Sequence, residues 1–150
     1  MNDFKKNKYC VIRNALSKEM SDFLYHYSVL KKQSVTTMID SKYLNPFEDV
    51  LGTWGDKQVK DTYSHYADFA METLLYKFIP IMEKHTKLKL VPTYSYMRIY
   101  QKGNVLARHK DRNSCEISTT LNLGGDAWPI FVSPNDNVGI ANIYGGKKNI

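Results

Sequence analysis

His109-Lys110-Asp111 sets an imidazole and a carboxylate two residues apart, between two segments of strand-like composition. In extended backbone the side chains at i and i+2 leave the same face, so these two groups can converge on one metal ion. A histidine nitrogen with a carboxylate oxygen suits Fe(II), and a facial site of two histidines and one carboxylate leaves three coordination positions open. The same spacing also fits a strand-end hydrogen bond between histidine and aspartate with no metal. It arises by chance often enough that its surroundings must decide.

Strands are what must position the pair. From Thr93 to Tyr100 the chain alternates, with Tyr94, Tyr96, Arg98 and Tyr100 on one face and Met97 and Ile99 on the other. The apolar face seeks a core, and the aromatic, cationic face looks into a cavity or solvent. Gln101-Lys102-Gly103-Asn104 is turn-like, and Val105 to His109 resumes extended structure. After a bend at Asp111 to Ser114, Cys115 to Leu123 alternates again, placing Glu116, Ser118, Thr120 and Asn122 on its polar side. Gly124-Gly125-Asp126 then turns the chain into a strand at Trp128 to Val132, with another expected near Val138 to Ile143. Gly145 to Ile150 reads as a hairpin turn leading into one more strand.

Upstream, Tyr9 to Ile12 reads as a short strand. Ser17 is a good N-cap, and Met20, Phe23, Leu24, Tyr27 and Leu30 follow at helical spacing. A helix is expected from about Ser17 to Lys32, with Lys31 and Lys32 near its C-terminal end. Residues 33 to 60 keep no period, which makes them a candidate lid or substrate loop. A second helix is expected from about Thr62 towards Lys84, its inner face drawn from Tyr66, Phe69, Ala70, Leu74, Phe78 and Ile81, with Pro80 kinking or ending it. Two helices followed by many short strands predict an α+β chain, its helices packed on an antiparallel sandwich or jelly roll.

At 150 residues, with 43% hydrophobic, 13% aromatic and 24% charged residues, the composition is that of one globular domain. The formal charge of +6 is spread over scattered lysines, a mild attraction for anions rather than a nucleic-acid footprint. Lysines and aromatics do not interleave on any one strand as a base-stacking platform requires, which speaks against a nucleic-acid partner. No apolar run reaches the ~20 residues that span a bilayer, and the first residues lack a secretory signal. No membrane partner is therefore expected. Cys10 and Cys115, far apart and in no metal-ligand spacing, suit a reducing cytoplasm and are expected to be buried.

The run from Pro92 through Tyr100, Gly103 and His109 to Asp111 resembles the first metal-ligand region of the prolyl 4-hydroxylase-like 2-oxoglutarate and Fe(II)-dependent dioxygenases. That family also orders an aromatic strand, a Gly-containing turn and His-x-Asp. Ser114 to Leu123 and Trp128 to Val132 resemble the family's next two strands, and Tyr9 to Lys32 its opening strand and helix. The resemblance implies a double-stranded β-helix, cupin-like, in a single domain 1–150, with helical support over about 14–86 and strands over about 88–150. His109 and Asp111 match the first two metal ligands. Tyr100 matches a tyrosine that contacts the co-substrate carboxylate, or else is an ordinary barrel aromatic. Thr120 lies where relatives place another co-substrate neighbour, or is simply a polar strand residue. Arg98, on the face of Tyr100, reads as an anion contact, a solvent-exposed cation or a partner of Glu116.

The implied cofactors are Fe(II) and 2-oxoglutarate, with ascorbate as an accessory reductant. The implied reaction hydroxylates a protein, peptide or small-molecule substrate, peptidyl proline being the family's guess, while 2-oxoglutarate is decarboxylated to succinate. Relatives complete the site with a second histidine and a basic residue from their last strands. His26, His65 and His85 all precede His109 and fall in or beside the expected helices. The sequence therefore reads as a C-terminally shortened version of such an enzyme, with an incomplete barrel whose open edge favours homo-oligomers. The competing reading is a noncatalytic jelly-roll binding module that has lost its third ligand.

Overall fold

Ser17 starts the main helix as expected, its hydroxyl accepting the Met20 N–H at 3.2 Å. The computed structural model describes residues 4–112 and 114–133; the strand expected near 138–143 and the hairpin at 145–150 lie outside them. A four-residue helix, α1 (Phe4–Asn7), comes first, and the main helix, α2, spans Lys18–Asp40. It continues past Lys32, so Lys31 and Lys32 lie within the helix and not at its end. Lys42 ends it in the left-handed conformation (φ +60°), where the Tyr43 N–H returns to the Met38 carbonyl at 2.7 Å.

The buried face of α2 is turned about one position from the apolar stripe. Leu24, Ser28 and Val35 are buried, whereas Phe23 and Leu30 are 65% and 64% exposed. Polar residues are admissible inside because each finds a partner: Ser28 donates to the Leu24 carbonyl at 2.8 Å, and Ser21 to the Leu123 carbonyl at 2.7 Å.

Residues expected to begin the second helix instead form a strand, β1 (Tyr63–Tyr66), and the helix, α3, spans Phe69–Thr86. Threonine and tyrosine at 62 and 63 favour a pleated position. Asp68 caps α3, its Oδ1 accepting from the N–H groups of Ala70 at 2.9 Å and Met71 at 3.2 Å. Pro80 does not end the helix. It lies on the exposed side, so the Tyr76 carbonyl that loses its N–H partner can meet water. Met71 and Phe78 turn inward, while Tyr66 and Phe69 are exposed.

The second strand, β2 (Tyr96–Ile99), pairs antiparallel with β1, Ser64 opposite Arg98 and His65 opposite Met97. Thr53 bridges the outer edge of β1 at Ser64. The alternation read from the sequence holds: Met97 enters the core and Ile99 packs against it, while Tyr96 and Arg98 face the other way. The core gathers Leu24, Val35, Tyr63, Met71 and Met97 where α2, α3 and the two strands meet.

The chain is thus α+β, with one two-stranded antiparallel sheet among the described residues. Tyr9 to Ile12, Val105 to His109, Cys115 to Leu123 and Trp128 to Val132 form no strand. Among the described residues the ladder pairing is confined to β1 with β2 and the bridge at Thr53. Both thiols are half-buried, not buried.

Candidate functional site

His109 and Asp111 meet as their spacing predicts. Nε2 of His109 lies 3.5 Å from Oδ1 of Asp111, with the two side chains 27% and 47% exposed. The other ring nitrogen, Nδ1, donates to the Ala107 carbonyl at 2.8 Å, which fixes the ring and directs Nε2 at the carboxylate. Ser118 donates to the second Asp111 oxygen. The Asp111 carboxylate holds the imidazole above its usual pKa, against burial and the Arg98 charge. In return His109, with help from Ser118 and Arg112, holds the Asp111 carboxyl below the usual range despite burial.

The donor set suits a metal in type and in attitude. Cis ligands of an octahedral ion with bonds of about 2.1 Å stand about 3 Å apart, close to the separation here. A metal ion at Nε2 would replace the proton shared with Asp111. No group of three or more His, Cys, Asp or Glu side chains among the described residues is arranged to hold a metal. His26 lies in α2 and His85 in α3, whereas His65 is a strand residue.

The aromatic face of β2 is tied to this neighbourhood by charge, since the Arg98 charge opposes protonation of His109. Neither solvent nor Glu116 takes Arg98. Its Nε donates to Asp56 Oδ2 at 2.7 Å, its Nη2 lies 2.6 Å from the same oxygen, and the two side chains are 10% and 5% exposed. Nη2 also donates to Gln58 Oε1 at 2.9 Å, and Nη1 to the Tyr100 hydroxyl at 2.8 Å. The guanidinium lies over the rings of Tyr96, at 5.0 Å, and Tyr100, at 5.4 Å. Trp128 packs edge-on against Tyr100 with centroids 4.2 Å apart. Thr120 is exposed and joins none of these contacts.

Asp56 and Trp128 escape a reading by sequence pattern because their partners are 42 and 28 residues away. Asp56 did carry a local signal: it follows Gly55, and its Oδ1 accepts the N–H groups of Gln58 at 2.7 Å and Val59 at 3.2 Å, an Asx turn. Burial disfavours its ionisation, but these bonds, the Tyr96 hydroxyl and Arg98 outweigh it and lower its pKa.

A second polar cluster lies inside the fold. Asp68 Oδ2 accepts from Tyr27 at 2.7 Å and from Lys31, whose ammonium also donates to His65 Nδ1 at 2.6 Å. Lysine has only donors, so Nδ1 accepts and Nε2–H donates to the Val50 carbonyl at 3.0 Å. Burial would raise the Asp68 carboxyl, yet Lys31, Tyr27 and the Met71 N–H bring it down to about 2. This cluster joins α2, β1 and α3; it is structural, and it fixes the strand that faces Arg98.

Two open grooves lie apart from both clusters, one lined by Tyr9, Val11, Ile12, Arg13 and His85, the other along α2 from Leu30 to Met38. No helix among the described residues is long and apolar enough to cross a membrane. No protein-family model matches this chain, and no curated protein or solved structure matches it.

Proposed function

We propose that this chain is a 2-oxoglutarate- and Fe(II)-dependent dioxygenase, with His109 and Asp111 as metal ligands and Tyr100 as a contact to the co-substrate. The observation that carries the reading is the His109–Asp111 geometry: a nitrogen and an oxygen 3.5 Å apart, the far ring nitrogen tied to a backbone carbonyl, within reach of the charge of a half-buried arginine on a face that carries tyrosines. Iron and 2-oxoglutarate supply oxygen activation, one oxygen atom going to a substrate C–H bond and the other to succinate as carbon dioxide leaves. His109 binds through Nε2 once that nitrogen is deprotonated, and Ala107 holds the ring in place. Asp111 binds through Oδ1 while Ser118 orients the carboxylate. Tyr100 orients the co-substrate by its hydroxyl, and Thr120 is the weaker candidate for that role. Peptidyl proline is the first substrate to try.

The finer architecture we propose is the double-stranded β-helix, supported by the alternating segments after Pro92 and by the resemblance of Pro92 to Val132. The two free thiols suit a cytoplasmic setting. The reading as a noncatalytic binding module draws on a different observation: His109, Asp111 and Ser118 satisfy one another without a metal.

Fe(II)-dependent formation of succinate from 2-oxoglutarate decides between the two. With the second histidine and the basic residue of its relatives supplied, the chain should turn over 2-oxoglutarate, and His109→Ala should abolish this. Unchanged turnover in that variant sinks the assignment, and wild-type protein that binds a carboxylate without turnover points to the binding module.

A further inference from the structure

The hydrogen-bond inventory of Arg98 is nearly closed. A guanidinium has five N–H groups. Nε–H is taken by Asp56, Nη2 serves Asp56 and Gln58, and one Nη1–H goes to the Tyr100 hydroxyl. Among the described residues one N–H remains without an acceptor, on the nitrogen that holds Tyr100. Because the Tyr100 oxygen accepts from Arg98, its own hydrogen points away from the guanidinium, and Trp128 packed edge-on fixes the ring.

Two donors therefore sit on neighbouring atoms 2.8 Å apart, backed by a positive charge. A carboxylate accepts such a pair with one oxygen on each donor. The charge does not swing free to follow a ligand: Asp56 grips the Nε and Nη2 side of the fork and is itself held by the N–H groups of Gln58 and Val59. Asp56 and Gln58 belong to the irregular segment between α2 and β1, so that segment orients a residue of β2.

We infer that Asp56 and Arg98 are positioning residues for Tyr100, aiming its hydroxyl and leaving one guanidinium N–H beside it as a two-donor subsite for a carboxylate of a small dicarboxylic acid. Naming 2-oxoglutarate as that acid rests on the dioxygenase reading; the subsite itself rests on the geometry of Asp56, Arg98 and Tyr100.

The test uses the whole 150-residue chain and two probes, 2-oxoglutarate and succinate, titrated calorimetrically with and without Co(II), whose own affinity is read from its absorption. A hydrogen bond to a charged group is worth enough that Arg98→Gln and Tyr100→Phe should each weaken 2-oxoglutarate about tenfold or more. The double variant should be scarcely weaker than the worse single one, because the two side chains act as a unit. Arg98→Lys keeps the charge but loses the fork and should not restore binding. Asp56→Asn should weaken the probe about three- to tenfold. Co(II) affinity should stay within about twofold throughout.

Tyr100→Phe retains the ring against Trp128, so it stays informative if the Arg98 variants fail to fold. Additive losses, recovery in Arg98→Lys, or a loss of Co(II) affinity parallel to that of the dicarboxylate overturn the inference. So does a folded wild-type chain that takes up neither dicarboxylate. Carboxylate binding without Co(II) binding leaves the subsite standing and removes the dioxygenase reading alone.

Discussion

Under the proposed function a proton and a metal would compete for one atom, His109 Nε2, so the pair should behave oppositely with and without metal. In the metal-free protein the Asp111 carboxylate raises the imidazole above its ordinary value of 6.5. A raised folded-state pKa contributes stability below the unfolded value, and that contribution is lost as pH rises through the folded one. Metal binding needs the neutral ring and runs the other way, strengthening as pH climbs. In the metal-free protein, NMR should find His109 titrating above 6.5, and Asp111→Asn should move it down; an unmoved titration would mean that Asp111 is not the cause. Gly52 offers a second test at this scale. It sits at φ +110°, and a Cβ there would fall 2.6 Å from the hydroxyl of buried Tyr63. Gly52→Ala should cost about 2–4 kcal/mol by combining backbone strain with overpacking. Gly103→Ala, with open space around it at φ +93°, should cost only about 1 kcal/mol. Equal midpoints in urea for the two variants would remove the packing explanation.

Two helices and a strand meet at Asp68, which caps α3, binds Lys31 of α2 and lies beside His65 of β1. Its side chain is 1% exposed and that of Lys31 14%, so the pair is desolvated on both sides. Removing one partner strands the other, and Asp68→Ala should cost about 3–5 kcal/mol by thermal or urea unfolding. The wild-type protein should lose about 2 kcal/mol of stability as acid takes this carboxyl from its unfolded value through its folded one, near pH 2. An acid limb as steep in Asp68→Ala as in the wild type would put the proton uptake elsewhere. Nothing in local sequence announces this cluster, because Lys31 and Asp68 are 37 residues apart. What local sequence did carry was the Ser17 cap, the existence of both helices, and the two faces of β2, where the signal is the residue's own type or a period of two. The rotation of α2 went unread for the opposite reason: Lys31 looks like a surface residue until its distant partners Asp68 and His65 are known, and Ser28 until its hydroxyl is seen to turn back on the Leu24 carbonyl. His109 and Asp111 came together because two residues of spacing suffice, whereas Arg98 needed Asp56 from the far side of β1.

The whole molecule sets a positive charge against an apolar surface. Phe23, Leu30, Met20 and Met38 stand exposed along α2, and Leu30 to Met38 border an open groove of about 400 Å³. An apolar stripe of this kind favours contact with a second copy, while a formal charge of +6 keeps copies apart. Salt changes only one side of this balance: the screening length falls from about 10 Å at 0.1 M to about 3 Å at 1 M, and apolar burial is little weakened. Self-association should therefore grow with ionic strength. Sedimentation velocity between about 0.05 M and about 0.5 M sodium chloride should show the average mass rising. The double variant Phe23→Glu with Leu30→Lys leaves the net charge unchanged, so it should stay monomeric at both ends without altering the unfolding midpoint, because neither side chain is in the core. If mass falls as salt is added, the contact between copies is an ion pair, and the α2 stripe is not what holds them.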